Sequence, residues 1–599
     1  MPLFAKVLVA NRGEIAVRVF RTLRELGIGA VAVYSEADRG SLHVALADEA
    51  HVLGPGPPAE SYLHQERVLE AARRSGAEAI HPGYGFLAEN AGFARAVEKA
   101  GLVWIGPPPE AIEAMGSKVR ARRLMRDAGV PVIPGATDPV ESVEEVLALG
   151  EEHGWPLAIK ASAGGGGKGL KVVRSAAEAE RALASARREG ESYFADDTVY
   201  VERFLEDPRH VEVQVLADAH GNVVHLGERD CTIQRRHQKL VEEMPSPAVG
   251  PDLRARIGAL AVDAARAVGY RGAGTIEGLL DRDGDYFFLE MNTRIQVEHT
   301  VTELVTGIDL VREQVLVAAS EPLSIRQEDV RFTGHAIECR INAEDPSAGF
   351  LPAPGRITAY REPAGPGVRV DSGVIAGSEV VGLYDPLVAK LVVWDADRER
   401  ARRRMLRALE EYVIEGVTTL LGFHRALLEH PCFVEGSTCF GVVDSEPIAE
   451  RARALADHAA SPATASAPGR LVEESVPVEV DGRRFDVTLL RPEPPYAELA
   501  RRRRERVGGG AHHAAAREAV VSPMQGTVLA VEVAEGDEVR EGQVICVVEA
   551  MKMENEISAH RHGTVTGLSV AAGEPVTTGQ VICVVAQEGE AETELEPGG

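Results

Sequence analysis

The sequence predicts a multidomain protein that combines layered α/β domains with a small C-terminal all-β domain. Its 599 residues exceed what one hydrophobic core organises, since single cores stop growing near roughly 300 residues. Strand-like and helix-like segments alternate from the start to about residue 445, a pattern typical of α/β layers. Short β-rich segments broken by glycine fill residues 520–586 instead, which indicates a separate β domain.

The composition is that of a soluble globular protein, with 45% hydrophobic and 26% charged residues. The formal net charge is −27, from 65 basic against 92 acidic residues. This excess of negative charge favours solubility and argues against non-specific binding to nucleic acid. A site for an anionic substrate must therefore gather its positive charge locally.

The cysteines and the absence of targeting signals predict a cytoplasmic protein. None of the six cysteines forms a CxxC pair or a Cys/His cluster, so we expect buried free thiols in a reducing compartment. No apolar run approaches the ~20 residues of a membrane span. A strand-like segment begins at Lys6, which argues against a signal peptide. We expect no association with membranes.

The first elements illustrate the α/β alternation, and a linker follows the α/β region. Short β-rich apolar runs predict strands at 6–10 and 30–34, and the segment 13–26 between them is predicted to be an amphipathic helix. Residues 458–469 are almost entirely Ala, Ser, Pro and Gly, which indicates a linker. Asp481-Gly482 lies between two β-rich runs and predicts a hairpin over 476–490.

An arginine run follows that hairpin, at Arg501–Arg504. It could bind an acidic partner, but a solvated linker or helix face is the interpretation that we favour, because charge runs are usually solvated.

The C-terminal β segment repeats itself. Residues 526–548 and 563–585 share 14 identities in 23 positions at a constant offset of 37. Neither copy can form a core alone, so we expect the two to pack as a small sandwich or flattened barrel with pseudo-twofold symmetry. The segment Glu549–Asn555 lies between the copies, which places it at a turn.

The most informative segment runs from Gly274 to Glu298. A two-residue turn at Asp283-Gly284 would make Glu277 and Glu290 direct cross-strand partners, with Cβ atoms ~5 Å apart. Two facing carboxylates repel each other. A hard divalent cation such as Mg²⁺ offsets that repulsion while it bridges substrate phosphates.

Strand periodicity extends the polar surface beyond Glu290. It places Asn292, Arg294, Gln296 and Glu298 on the same face, with apolar residues opposite. An exposed strand face covered with salt bridges is the structural alternative. The mirror-related acids followed by an amide and a cation favour a metal and anion site instead.

A glycine-rich loop follows a predicted strand at Lys160. In Gly164–Gly169, backbone N–H groups can approach phosphate oxygens closely. It is not a Walker A loop, because Lys168 is followed by glycine. Lys160 and Lys118 supply positive charge nearby, and a merely flexible loop is the alternative. A Rossmann fingerprint is not supported, since the proline in Gly54-Pro-Gly56 has no N–H to donate.

The segment Glu228–Lys239 is dense in hydrogen-bond donors and could hold an anion, with a charged surface loop as the equal alternative. His210 precedes alternating valines and would more often be structural than functional. Arg340 lies in another strand-like run and by itself indicates little.

Six motifs together resemble one family. The chain is similar to the α subunit of bacterial acyl-CoA carboxylases, in which a biotin carboxylase of the ATP-grasp superfamily is fused to a biotin carboxyl carrier domain. The resemblance covers about 1–450 and 520–586 and rests on Ala10–Ile15, His81–Asn90, the glycine loop, Glu290–His299, Gly334–Asp345 and Glu549–Met553.

The resemblance implies a role for each matching residue. It assigns ATP binding to Lys118, Lys160, Gly166, Gly167, Glu202, Leu205, His210, His237, Glu277 and Glu290. It assigns Mg²⁺ or Mn²⁺ to Glu277, Glu290 and Asn292, and bicarbonate to Lys239, Arg294, Gln296 and Val297. Glu298 would be the general base, Arg340 would stabilise the ionised biotin ureido oxygen, and Lys552 would carry biotin.

Two positions depart from the family pattern. Thr300 stands where the family usually has proline, and Lys168 stands where many members have arginine. Neither changes the implied contacts. A lipoyl carrier is the alternative for the C-terminal domain, but methionines on both sides of Lys552 fit the biotinyl version better.

The resemblance also implies domains and partners. We expect an N-terminal α/β biotin carboxylase subdomain at 1–115, an ATP-grasp domain at 116–330 with a lid at 132–204, and a C-terminal biotin carboxylase subdomain at 331–447. A linker with the hairpin 476–490 would follow at 448–519, then the carrier domain at 520–586 and a disordered tail at 587–599. Only about 70 residues remain for other tasks, so a separate carboxyltransferase β subunit would use the carboxybiotin on acetyl-, propionyl- or longer acyl-CoA. A biotin protein ligase and a homo-oligomeric core within a hetero-oligomer are also implied.

Two other functions stay open at this point. One is a different ATP-grasp ligase, for an amino acid or a carbamoyl group, with an unrelated carrier tail. The other is a non-catalytic biotin carrier whose carboxylase has decayed, which the complete set of polar residues argues against.

Overall fold

The computed structural model describes residues 3–136, 139–161, 170–194, 198–459, 471–480, 483–492, 519–550, 553–577 and 579–586. The chain divides into two compact units, Met1–Ala456 and Asp457–Gly599. The predicted α/β region and the predicted β domain thus lie in different units. Among the described residues, no helix has both the length and the apolar character needed to cross a membrane.

The first unit begins with a five-stranded parallel sheet in the order β3-β2-β1-β4-β5. Alternate residues of β1 enter two different cores, with Val7 and Val9 on one face and Leu8 on the other. Burial on both faces is typical of parallel sheets covered by helices. The strands are β1 Lys6–Val9, β2 Gly29–Ser35, β3 Glu49–Gly54, β4 Ala79–His81 and β5 Val103–Trp104, and the helices are α1 Gly13–Glu25, α2 Leu42–Leu46, α3 Gln65–Ser75, α4 Ala91–Lys99 and α5 Pro109–Gly116.

The first three predicted elements are confirmed, because β1, α1 and β2 agree with 6–10, 13–26 and 30–34 to within one residue at each end. Short continuous apolar runs in the strands and the 3.6-residue period in the helix were sufficient signals.

A small antiparallel sheet with the order β7-β6-β8 follows. Its core contains Val146 of α7, Ile159 of β6 and Leu183 of α8. The elements are α6 Lys118–Asp127, α7 Val143–His153, β6 Leu157–Ala161, β7 Leu170–Val173, α8 Ala179–Phe194 and β8 Val199–Arg203. The glycine loop falls between β6 and β7, and residues 162–169 lie outside the described residues.

An eight-stranded antiparallel sheet, in the order β13-β12-β9-β10-β11-β14-β21-β19, carries most of the predicted site. Its pairing of β11 with β14 joins residues on both sides of the boundary predicted at 330/331. The elements are β9 Arg209–Ala217, β10 Val223–Arg235, β11 Gln238–Met244, α9 Pro251–Ala267, β12 Gly272–Leu280, β13 Tyr286–Asn292, α10 His299–Thr306, α11 Leu310–Ala318, β14 His335–Asn342, β19 Val368–Ser372 and β21 Leu387–Asp395.

Short strand pairs and four helices complete the first unit. These are β15 Glu344–Asp345, β16 Leu351–Pro352, β17 Gly355–Arg356, β18 Ala359–Arg361, β20 Glu379–Val380, β22 Val413–Glu415, α12 Arg398–Glu411, α13 Leu421–Glu429, α14 Pro431–Val434 and α15 Glu446–Ala459. Helix α14 and the turn after it bring Cys432 and Cys439 together, with their Cα atoms 5.4 Å apart, in a disulfide. The prediction of free thiols is therefore wrong for these two cysteines, whose spacing matches no common motif, whereas Cys231, Cys339, Cys546 and Cys583 are free and buried.

The second unit contains the predicted hairpin and the predicted repeat. The hairpin is confirmed, and its strands are longer than predicted, as β23 Leu471–Val480 and β24 Arg483–Pro492. Val480 pairs with Arg483, so the connection has two residues, Asp481 and Gly482, which lie outside the described residues.

The pseudo-twofold symmetry of the repeat is confirmed strand by strand. Two four-stranded sheets have the orders β25-β32-β30-β27 and β29-β28-β26-β31, and exchanging equivalent strands of the two copies converts one order into the other. The strands are β25 Ala519–Val521, β26 Gly526–Val531, β27 Glu538–Val539, β28 Val544–Ala550, β29 Met553–Ser558, β30 Gly563–Thr566, β31 Pro575–Val576 and β32 Val581–Ala586. Ala550 pairs with Met553, so β28 and β29 are joined through Met551 and Lys552, which lie outside the described residues, as does the tail 587–599.

The symmetry predicts equal sensitivity at two equivalent glycines. A Cβ at Gly526 would lie 2.3 Å from the carbonyl oxygen of Glu549, and one at Gly563 would lie 2.4 Å from that of Ala586. We expect Gly526→Ala and Gly563→Ala each to destabilise this domain by about 1–3 kcal/mol, because overpacking forces the strands apart. Hydrogen exchange in peptides from 519–586 of the whole chain would measure this, and Leu529→Ala on the exposed surface is the control. Hydrogen exchange as slow in both glycine variants as in the unsubstituted chain would contradict the prediction.

Candidate active site

The hairpin of β12 and β13 carries the two acids that the sequence singled out. Glu277 pairs with Glu290 as predicted. The two-residue turn is wrong, because Asp281 N–H donates to the carbonyl of Asp285 at 3.0 Å and the connection has five residues. A β-bulge between Glu277 and Gly278 compensates for the longer connection and restores the predicted register at Glu277.

The ammonium of Lys239 lies at the centre of the site. Its Nζ contacts Glu212 Oε2 at 2.5 Å, Glu298 Oε1 at 2.6 Å and Glu277 Oε1 at 2.9 Å. Burial alone would lower the pKa of Lys239, but the three carboxylates outweigh burial and hold that pKa well above its usual value. Lys239 is therefore a fixed positive charge at the point where three strands and the start of α10 meet.

The polar row after Glu290 converges on this centre without being a continuous strand. Strand β13 ends at Asn292, so the predicted strand through 298 is wrong. Asn292 Nδ2 and Gln296 Nε2 nevertheless donate to Glu277 Oε1, at 2.7 and 2.8 Å. The chain leaves the sheet because it must turn into α10, and the turn keeps the amides directed at Glu277.

Two arginines extend the positive charge on either side of Glu298. Arg294 Nε donates to Glu89 at 2.8 Å and its Nη2 to Asn292 Oδ1 at 2.9 Å. Arg340 Nη2 donates to Glu298 Oε2 at 2.9 Å, and its Nε to Glu242 Oε1 at 2.6 Å. Both guanidiniums are therefore held at a defined orientation by carboxylates.

The acids respond to these charges in opposite ways. Burial raises the pKa of Glu298, but Lys239 and Arg340 outweigh burial and hold that pKa well below its usual range. The pKa of Glu277 is likewise lowered, through Lys239 and His210, although burial opposes the shift. Burial and the neighbouring Glu277 raise the pKa of Glu290. Lys118 and His210 oppose the shift at Glu290 but do not outweigh burial and the repulsion from Glu277.

A divalent cation fits the acid pair on its donor chemistry. Glu277, Glu290 and the Asn292 amide offer oxygen ligands, which Mg²⁺ and Mn²⁺ prefer. Glu277 and Glu290 are direct cross-strand partners, so one cation could lie between their carboxylates. One ligand atom each of His210, Glu212 and Glu277 also lies within 4.8 Å of the others.

The residues predicted for the nucleotide lie on the small sheet and the adjoining strands. Glu202 is buried and contacts the Lys160 ammonium and the Arg122 guanidinium. Leu205, three residues after Glu202, is also buried. His210 Nε2 lies 2.9 Å from Glu277 Oε2. The pKa of His210 is raised by Glu277 against the effect of burial, so the imidazole has a charged partner in the neighbouring strand.

The remaining predicted positions are less constrained. Lys118 begins α6 and is exposed, His237 lies in the turn between β10 and β11, and Val297 is half-buried beside Glu298. Gly166 and Gly167 lie outside the described residues, as does Lys552. The segment Glu228–Lys239 is mostly two buried strands, so its interpretation as a charged surface loop is wrong.

Sequence reasoning missed the carboxylates that hold the cations. Glu212 is fully buried and pairs with Lys239 and Arg229, and Glu89 and Glu242 hold the two site arginines. Glu212 had a signal, because polar residues alternate with the valines of β9. Glu89 lies in a quoted motif, but nothing local links it to Arg294, 205 residues away.

Comparison with family models divides the chain into four matched segments. Residues 3–112 match "Biotin carboxylase, N-terminal domain" and 117–326 match "Carbamoyl-phosphate synthase L chain, ATP binding domain". Residues 338–445 match "Biotin carboxylase C-terminal domain", and 518–585 match "Biotin-requiring enzyme".

Curated relatives extend the similarity over almost the whole chain. A biotin-dependent acyl-coenzyme A carboxylase alpha3 subunit of Mycobacterium leprae is 47% identical over 582 residues, which cover 93% of this chain and 94% of the relative. A pyruvate carboxylase subunit of Methanothermobacter thermautotrophicus is 54% identical over 74% of this chain and 90% of the relative.

Solved structures support the same similarity for the first unit. The biotin carboxylase domain of Hydrogenobacter thermophilus 2-oxoglutarate carboxylase, in complex with MgADP, ADP and bicarbonate, has a TM-score of 0.69 and 48% identity over 74% of this chain and 98% of that one. A biotin carboxylase complex from Campylobacter jejuni has a TM-score of 0.69 and 45% identity over 73% of this chain and 98% of that one.

Proposed function

This chain belongs to the family of biotin carboxylases that are fused to a biotin-carrying domain, and from that premise we propose that it uses ATP and bicarbonate to carboxylate a biotin on its own Lys552. The observation that carries the proposal is the convergence of Lys239 and Arg340 on Glu298, next to the facing acids Glu277 and Glu290. This arrangement combines phosphoryl transfer and anion binding in one site.

Bicarbonate would bind where fixed cations and an amide meet. Lys239, Arg294 and Gln296 supply positive charge and donors, and Val297 directly follows Gln296 in the chain. With only the protein's own groups around it, Glu298 is a weak base, because two cations stabilise its ionised form. A bound anion would share those cations and raise the basicity of Glu298, which then accepts the bicarbonate proton.

The remaining charges neutralise the phosphate and the acceptor. Mg²⁺ or Mn²⁺ held by Glu277, Glu290 and Asn292 would reduce charge repulsion at the ATP phosphates, with Lys118 and Lys160 as further cations. The Arg340 guanidinium would stabilise negative charge on the biotin ureido oxygen, next to the base Glu298. The proximity of Arg340 and Glu298 would thus bring the activation of bicarbonate and the stabilisation of ionised biotin into one site.

Bicarbonate dependence is the test of this function. We expect ADP release to need bicarbonate and to increase when free biotin is added. ADP release driven instead by an amino acid or ammonia would identify a different ATP-grasp ligase. The absence of any ATP turnover would favour a non-catalytic carrier.

The metal assignment makes a separate prediction. We expect Glu290→Gln to raise the Mg²⁺ concentration for half-maximal ADP release by about tenfold or more, because a neutral amide binds a hard cation more weakly. Glu328→Gln is the matched control, because Glu328 is exposed in a surface ion pair. An unchanged Mg²⁺ requirement would remove Glu290 from the ligand set.

The final acceptor belongs to a separate subunit in this proposal. The relative from Mycobacterium leprae is named as an acyl-coenzyme A carboxylase subunit, which favours acyl-CoA over pyruvate as the acceptor. The hairpin 476–490 is the proposed dock for that carboxyltransferase, and biotin protein ligase would modify Lys552. A pull-down that still recovers the carboxyltransferase after deletion of 476–490 would contradict the docking role.

A further inference from the structure

Two fully buried glutamates face each other behind Arg340. Glu242 of β11 and Glu338 of β14 are direct cross-strand partners, and both have 0% exposure. Directly opposite residues of an antiparallel pair project from the same face of the sheet, with Cβ atoms ~5 Å apart. Two ionised carboxylates in such a place would repel each other without water to screen them.

Each of the two carboxylates has one satisfied oxygen and one orphan. Arg340 Nε donates to Glu242 Oε1 at 2.6 Å, and the Thr300 hydroxyl donates to Glu338 Oε2. Glu242 Oε2 and Glu338 Oε1 have no hydrogen-bond donor among the described residues. Buried oxygens of this kind are rarely left unpaired. A proton between the two carboxylates would supply a partner for both orphan oxygens.

We propose that Glu242 and Glu338 share one proton at neutral pH, bonded to Glu338 Oε1 and donated to Glu242 Oε2, and that this acid–carboxylate pair positions Arg340. One proton then satisfies both orphan oxygens at once. Glu242 stays ionised, so its contact with Arg340 Nε remains an ion pair. The proton neither forms nor breaks a bond in the reaction; it sets the charge of a positioning residue.

The surrounding charges agree with this location of the proton. Burial raises the pKa of Glu242, with Arg340 opposing the shift. Burial and Glu242 raise the pKa of Glu338 well above its usual value, although Lys390 and Arg340 oppose the shift. The other charged groups that face Glu242 are Glu298 and Lys239. In the described part of the chain the only donor to Glu338 is a neutral hydroxyl, whereas Glu242 has Arg340, so Glu338 is the better proton carrier.

The Thr300 hydroxyl decides which oxygen of Glu338 can carry the proton. The Thr300 hydroxyl occupies the Oε2 acceptor of Glu338, which leaves Oε1 as the atom that carries the proton.

Infrared spectroscopy of the full-length protein tests the proton directly. In the difference spectrum of wild type minus Glu338→Gln near neutral pH, we expect a carboxylic-acid C=O band that the variant lacks. Thr300→Val should move this band to higher frequency, because the C=O group loses a donor. A spectrum without the band overturns the proposal. This measurement needs no turnover, so it stands apart from whether the proposed carboxylase function is correct.

Kinetics test the positioning role, which rests on the proposed function. Glu242→Gln replaces the ion pair with Arg340 by a hydrogen bond to an uncharged amide and should lower the kcat of biotin-dependent ADP release by at least about tenfold. Glu338→Gln keeps a donor toward Glu242 Oε2 and should lower kcat less than about threefold. Equal losses, or a larger loss for Glu338→Gln, would overturn the assignment. If either variant fails to fold, the band shift in Thr300→Val decides the question.

Discussion

Replacement of Glu298 by glutamine should lower bicarbonate-dependent ADP release by about 10²–10⁴-fold, the usual contribution of a general base. The amide keeps the shape of the side chain but accepts no proton. It also removes the charge that Lys239 and Arg340 contact at 2.6 and 2.9 Å. The measurement is initial ADP release at saturating ATP and bicarbonate.

Two controls separate lost chemistry from lost structure. Glu206→Gln removes an exposed carboxylate in a surface ion pair and should leave ADP release within about twofold, because such pairs contribute little. A cooperative thermal unfolding transition in Glu298→Gln should show that this variant is folded. Turnover near the wild-type rate in a folded Glu298→Gln would remove the general-base assignment.

The pH dependence of stability follows from the same residue. The folded-state pKa of Glu298 lies below that of an unfolded glutamate, ~4.3. Its ion pairs therefore contribute stability above the unfolded pKa, and this contribution is lost as pH falls through the folded pKa. At neutral pH the carboxylate is fully ionised and paired with Lys239 and Arg340.

Replacement of Lys552 by arginine should abolish biotin incorporation. Lys552 is the only lysine after Lys390 in the sequence, so the C-terminal domain offers no second amine for the amide bond. Arginine keeps the positive charge but is not a substrate for amide formation with biotin. Intact mass after coexpression with a biotin protein ligase would measure the loss, which should be complete.

Carboxyl transfer to an acyl-CoA should also be lost in Lys552→Arg, because this variant carries no biotin. Lys99→Arg, on the exposed side of α4, is the matched control and should retain full biotin incorporation. Free biotin supplied to Lys552→Arg should still stimulate ADP release, because the first unit carries the site residues. A biotin mass increment that persists in Lys552→Arg would show attachment elsewhere.

Much of the architecture was predictable because its signals are local. The short apolar runs of β1 and β2 and the helical period of α1 were sufficient to locate these elements. The repeat offset of 37 predicted the twofold exchange of strands between the sheets of the C-terminal domain. The disulfide between Cys432 and Cys439 had no comparable signal.

The candidate site was only partly predictable. The pairing of Glu277 with Glu290 was correct even though the turn was not, because a bulge absorbed the extra residue. The side chains of Asn292 and Gln296 both donate to Glu277, although β13 ends at Asn292. In both cases the spacing in the sequence preserved the side-chain direction, while the backbone path between the residues differed.

By itself the sequence determined which residues are proposed for the chemistry: the facing acids, the polar row after them and the lysine between two β repeats. Tertiary structure alone decided how their charges are held. It placed Lys239 among three carboxylates, Glu89 against Arg294, and Glu242 between Arg340 and Glu338. The physical reason is range, since periodicity and turns act over a few residues, whereas these contacts depend on the order of distant strands in one sheet.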